Sequence, residues 1–180
     1  MALPQLTEVE IQALIRQAAE YFRAQRERFA SRAEPLSESQ ITAVQAFFPD
    51  EVLREARVTV LEDEAMHNPA FIAELRARGF EFLFDVNHLN AIPLFDVLVY
   101  HREFNKRLLF HGLVHFVQQR ILGVPKWLEL YVRALLKTGL HVTIPIEVHA
   151  YELDARFALN PAAAFSAQED VQAWVDGGRY

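Results

Sequence analysis

The stretch from Leu108 to Gln119, "LLFHGLVHFVQQ", decides how this chain is read. Asn105 can cap a helix ahead of it, and Gly123 can end that helix. Leu108, Leu109, Phe110, Leu113, Val114, Phe116, Val117, Ile121 and Leu122 cover the whole helical circumference, which predicts a helix buried in the middle of the domain. His111 and His115 lie four apart within it, on one face, close enough to hold one Zn²⁺. Buried imidazoles need a partner for each ring nitrogen. A metal on one nitrogen and an acceptor on the other would satisfy them. Neutral core histidines bonded to backbone carbonyls would satisfy them equally, and spacing leaves both readings open.

Downstream, "PKWLELYVRALLKTG" reads as a helix ending at Gly139, and "LHVTI" as a short extended piece. Pro145 opens a further helix over "IEVHAYELDARFAL", which Asn160-Pro161 stops. Glu147 falls in its first turn, where the helix dipole favours a carboxylate. It is the best candidate for a third metal ligand; as an ordinary residue it is a surface charge at a helix start. His149 competes with it but points the opposite way, and Tyr151 lies one turn further on the Glu147 face. Ser166 and Glu169 form a capping box ahead of a last helix, "DVQAWV". His67, His88, His101 and His141 stand alone and read as ordinary residues.

Upstream, Thr7 and Glu10 form a capping box, and Ile11, Leu14, Ile15, Ala18 and Phe22 mark one apolar stripe. The end of that helix, "RAQRERFASRAE", is polar and reads as a solvated end that could extend from the body. Ser37 caps a second helix with Ile41, Val44, Phe47 and Phe48 inside, and Pro49 stops it and opens a short turn over "DEVLREA". "RVTVLE", Arg57 to Glu62, reads as a strand. Asn68-Pro69 starts a helix that Gly79 ends, "FEFLFDV" is strand or buried segment, and "AIPLFDVLVYHR" reads as a strand with Pro93 at an edge. The expected class is α+β, mostly helical, with two or three strands.

The 180 residues fit one domain, 1–180, with an N-terminal helical part over 1–32 and a metal-site core over 91–158. Hydrophobic residues make up 52%, including fourteen Phe, enough for a packed interior. The net charge of −6 argues against a nucleic-acid partner. The absence of cysteine excludes disulfides, thiolate metal sites and cysteine nucleophiles. The opening "MALPQLTEVE" has neither the basic nor the apolar part of a signal peptide, and no run approaches a membrane span, so a cytoplasmic protein with no membrane partner is expected.

Residues 91–157 resemble a family of small zincin-type, gluzincin-like metallopeptidase domains. There an edge strand of the "AIPLFDVLVY" kind precedes a helix of the form L-x-H-E-L-V-H-x-x-Q, and a later P-x-E-x-x-A-Y segment supplies the third ligand. This chain carries "FHGLVHFVQQRILGV" and "IPIEVHAYELDARF". "SQITAVQAFFPDEVLREARVTVLE", residues 39–62, resembles the helix and first strand ahead of such a core. The resemblance implies a minimal zincin core, a small sheet whose edge strand lies over the histidine-bearing helix, and His111, His115 and Glu147 as zinc ligands.

Gly112 departs from the pattern. In HExxH enzymes the glutamate takes a proton from zinc-bound water and passes it to the leaving amine, help worth about 10²–10⁴-fold. Gly112 cannot do this, and glycine inside a helix costs roughly 1 kcal/mol against alanine. Either a lost base has drifted, or the missing side chain makes room beside the metal. On the first view Gly112→Glu restores hydrolysis. Glu103, Glu152 and Tyr151 are substitute catalytic candidates, though no spacing aims the glutamates at the site. The resulting expectation is a degenerate, inactive zinc-metallopeptidase-like protein that binds zinc, or a peptide or protein ligand in the former cleft. An active hydrolase with another base, and a metal-free helical interaction module using its basic N-terminal helix end and aromatic surface, are the alternatives.

Overall fold

The structure is a computed structural model and describes residues 4–62, 64–83, 85–101 and 105–180. Eight α-helices and a four-stranded sheet are present among them. In chain order the elements are α1 (Glu8–Ala30), β1 (Glu34–Pro35), α2 (Glu38–Val44), α3 (Asp50–Glu55), β2 (Arg57–Val60) and α4 (Ala70–Ala77). They continue with β3 (Ala91–Leu94), β4 (Val97–Tyr100), α5 (Lys106–Leu122), α6 (Val124–Thr138), α7 (Pro145–Leu159) and α8 (Ala167–Asp176). The mostly helical α+β class expected from the sequence is what the chain adopts.

The helix starts follow the cap chemistry. Thr7 and Ser37 make reciprocal capping boxes with Glu10 and Gln40, Asn105 accepts from the Leu108 N–H at 2.9 Å, and Ser166 accepts from Glu169. Ser166 makes only that half of a box. The polar end of α1 lies on the body rather than projecting from it. Phe29 has no exposed surface, and Arg26 reaches Asp96 through two bonds of 2.6 and 2.8 Å.

The sheet order is β1-β2-β4-β3, with β2 and β4 parallel and the other pairs antiparallel. Within the segment expected as one strand over 91–102, residues 91–100 form a hairpin. Leu94 pairs with Val97 across a two-residue turn in which Phe95 adopts φ 61°, a region that favours glycine. No Asn-Gly or Asp-Gly marks this turn. Phe95 is held instead by an edge-on contact of its ring with Phe116, centroids 5.2 Å apart, and Asp96 by Arg26. β1 was not anticipated, and "LHVTI" is not extended: His141–Thr143 form a 3-10 turn. In "FEFLFDV" Glu81 and Phe82 form a turn between buried Phe80 and Leu83, and Val86 begins a 3-10 turn.

β4 is buried on both faces, with side chains alternating. Val97 and Val99 join the core under α1 and α6, while Leu98 and Tyr100 join the core around α5. The edge strand β3 lies over α5, where the Pro93 carbonyl accepts from Gln119 Nε2 at 3.2 Å. The opposite side of α5 enters a phenylalanine cluster, with Phe110 stacked on Phe157 at 4.5 Å and edge-on to Phe47 at 5.5 Å. Enclosed this way, α5 is the central helix that its sequence pattern requires.

No described helix is long and apolar enough to cross a membrane.

Candidate metal centre

His111 and His115 project from α5 toward the first turn of α7, which Pro145 opens and Ile144 precedes as the capping residue. The Val148 N–H bonds to the Ile144 carbonyl, so Glu147 sits among the N-terminal amides of α7, at the positive end of that helix. His115 Nε2 lies 2.9 Å from His111 Nε2 and 3.2 Å from Glu147 Oε2, and His111 Nε2 lies 3.4 Å from the same oxygen. The three residues form a group that could hold a metal ion. Three ligand atoms at ~2.1 Å from a tetrahedral zinc lie about 3.4 Å apart, close to what is seen here.

The other ring nitrogens are occupied. His111 Nδ1 is 3.0 Å from Asp154 Oδ2, and His115 Nδ1 is 2.8 Å from Gln118 Oε1. A carboxylate and an amide oxygen only accept, so each Nδ1 carries the proton and each Nε2 presents a lone pair. Asp154 is itself held by Arg107, at 2.9 and 2.7 Å to Oδ1. Gln118 is oriented by donating to the Ile146 carbonyl at 3.1 Å and by accepting from the Trp127 indole at 3.3 Å. Two imidazole lone pairs and a carboxylate thus face one another in a buried place. Like-polarity groups converge that closely only around a cation: a metal ion, or a proton on one ring.

The charges agree. Burial opposes a charged His111, but hydrogen bonds to Asp154 and Glu147 outweigh it and raise the imidazole to about 9. Burial would favour the neutral acid at Glu147, yet His115, His111 and His141 hold it well below the usual carboxylate range.

The sequence-level candidates can now be placed. His111, His115 and Glu147 come together. Tyr151 stands beside them, its ring 4.7 Å from His111. His149 is outside the cluster, stacked on Trp174 at 4.7 Å with Nδ1 3.3 Å from Gln118 Nε2, and burial there lowers it to about 4. Glu152 is exposed and does not line the cavity at the site, and Glu103 lies outside the described residues.

Two further residues at the cluster were not singled out from the sequence. His141, read as ordinary, brings Nε2 to 3.4 Å from Glu147 Oε2, with its Nδ1 2.8 Å from the Tyr131 hydroxyl. Asp154 follows Glu147 by seven residues, two helical turns along one face, and that period was its only signal.

Gly112 faces the sheet. A Cβ there would lie 3.2 Å from Leu98 Cδ1 and 3.6 Å from the Tyr100 hydroxyl oxygen. Leu98 of β4 thus crowds the Cβ position, while Gly112 also lines the cavity at the site. A glutamate at this cavity-lining position would need Leu98 to give by a few tenths of an ångström.

A cavity of about 720 Å³ opens from the ligand cluster and runs between α1, α4, β3 and α6. No family model matches the chain, and no curated protein or solved structure matches it either.

Proposed function

We propose that this is a zinc-binding protein of zincin-like construction that lacks the peptidase base and uses its metal centre to bind a ligand. One observation carries the proposal: both Nε2 atoms and Glu147 Oε2 converge within 3.4 Å while both Nδ1 atoms are already committed. Imidazole and carboxylate donors suit Zn²⁺, and three protein ligands leave a further position toward the cavity. Zinc would supply a Lewis-acidic site of net charge +1 there. Asp154 and Gln118 fix the imidazole tautomers, and Arg107 fixes Asp154. Gly112 offers no carboxylate for proton transfer at the motif position, which favours binding over hydrolysis.

Metal analysis after dialysis against zinc tests the first half. One zinc per chain is expected, lost in Glu147→Ala. The second half predicts no cleavage of a broad peptide library by the zinc-loaded protein; robust, chelator-sensitive cleavage would overturn it. A second reading, an active hydrolase, draws support from His141, an imidazole at the site's edge beside Glu147 and Tyr131. Cleavage abolished by His141→Ala would select that reading.

A further inference from the structure

We infer that the ligand is an aliphatic monocarboxylate whose head meets the metal and whose chain fills the apolar cavity. The inference rests on the metal-centre reading and adds the chemical class of what binds there.

The cavity has two chemical ends. Among the described residues, the charged side chains that line it, Arg107, Glu147 and Asp154, all belong to the ligand cluster or its support. Away from the cluster the described walls are mostly apolar, with Leu14, Phe22, Ile72 and Leu135 among them, and Tyr21 and His88 are polar exceptions. Cavities near 720 Å³ fall within the ~300–1,000 Å³ typical of small-molecule sites. An apolar cavity as small as about 150 Å³ stays dry and takes hydrocarbon guests. A divalent ion with two neutral imidazoles and one carboxylate leaves the polar end positive, so an anionic head is complementary to it.

The geometry also disfavours a peptide laid along the sheet edge. Asn90 accepts from the His101 N–H at 3.1 Å, so by antiparallel alternation Ile92 and Leu94 bond inward to β4. Ala91 and Pro93 are left facing outward. Pro93 has no N–H, and its carbonyl already accepts from Gln119 at 3.2 Å. The outer edge of β3 therefore offers an incoming strand the backbone of a single residue, Ala91. A ligand that needs no backbone ladder fits this wall better.

The test is calorimetric titration of the zinc-loaded full chain with sodium butanoate, sodium octanoate, 1-octanol and an N-acetylated, C-amidated leucine dipeptide. Burying each methylene tightens binding by about fourfold, equivalent to ~0.8 kcal/mol. Octanoate should bind at least ~50-fold tighter than butanoate, since four methylenes at that increment give about 250-fold. It should also bind at least tenfold tighter to the zinc-loaded chain than to His115→Ala. Ala18→Phe, placed in the cavity wall with zinc content checked, should weaken octanoate at least tenfold. Octanoate no tighter than butanoate, 1-octanol equal to octanoate, or the dipeptide tighter than both overturns the inference while leaving the metal centre standing. Failure to bind zinc at all refutes the metal reading itself and removes this one with it.

Discussion

Two stripes of α5, offset by a single residue, have opposite chemistry. His111, His115 and Gln118 face α7, and their polar atoms meet partners on α5, α6 and α7. Gly112, Phe116 and Gln119 face the hairpin: Gly112 against Leu98, Phe116 against Phe95, Gln119 on the Pro93 carbonyl. The first stripe gathers donor atoms that could hold a metal ion. The second is built for close approach of helix to sheet. The difference ties Gly112 to packing: a Cβ there would crowd Leu98, and Gly112 also lines the cavity.

The largest expected effect strikes the first stripe. At a free zinc concentration a thousandfold above Kd, zinc should stabilise the chain by about 4 kcal/mol, read as a rise in Tm. His115→Ala should abolish that rise. Equal melting with zinc and with chelator in the unmutated chain would break the contrast between the stripes at once.

Next in size is pH. His111 is raised from 6.5 to about 9 by its carboxylate neighbours. A raised folded-state value stabilises below the unfolded value and is lost as pH climbs through the folded one. In chelator, stability should therefore fall between about pH 6.5 and 9, by up to roughly 3 kcal/mol. With zinc the trend reverses below neutrality, because acid protonates the ligands and releases the metal. A flat chelator profile in denaturant melts across that range would remove the proton as the cation's substitute.

Asp154→Asn is milder. Removing the carboxylate behind His111 should weaken zinc by about 10–100-fold in a competition titration. Unchanged affinity would show that Asp154 is held for Arg107 alone.

The smallest effect belongs to the second stripe. Gly112→Ala gains roughly 1 kcal/mol of helix propensity but overpacks Leu98 at a typical cost of about 1–3 kcal/mol. A net loss of about 1 kcal/mol is expected, with zinc affinity unchanged. Combined with Leu98→Ala, the loss should be smaller than the sum of the two single changes. Simple additivity would mean that the two side chains do not compete for the same space.

The sequence exposed what depends on local chemistry. Caps at Thr7, Ser37 and Asn105, stops at Gly79, Gly123 and Gly139, and the i, i+4 histidines all act within one or two turns and are readable there. Glu147 was legible because Pro145 fixes its place in a helical first turn. What stayed hidden was set by partners distant in sequence. The hairpin turn at Phe95 depends on Phe116 and Arg26, not on a turn residue. His141 becomes a neighbour of Glu147 only because a 3-10 turn replaces the expected extended piece. The packing role of Gly112 needs Leu98, fourteen positions away on β4, to be seen.

The most direct measurement is zinc K-edge X-ray absorption on the loaded chain. Two imidazole nitrogens and a carboxylate oxygen at about 2.0–2.2 Å are expected, with one imidazole lost in His111→Ala. A shell of oxygens alone, unchanged by His111→Ala, would contradict a metal centre built on His111, His115 and Glu147.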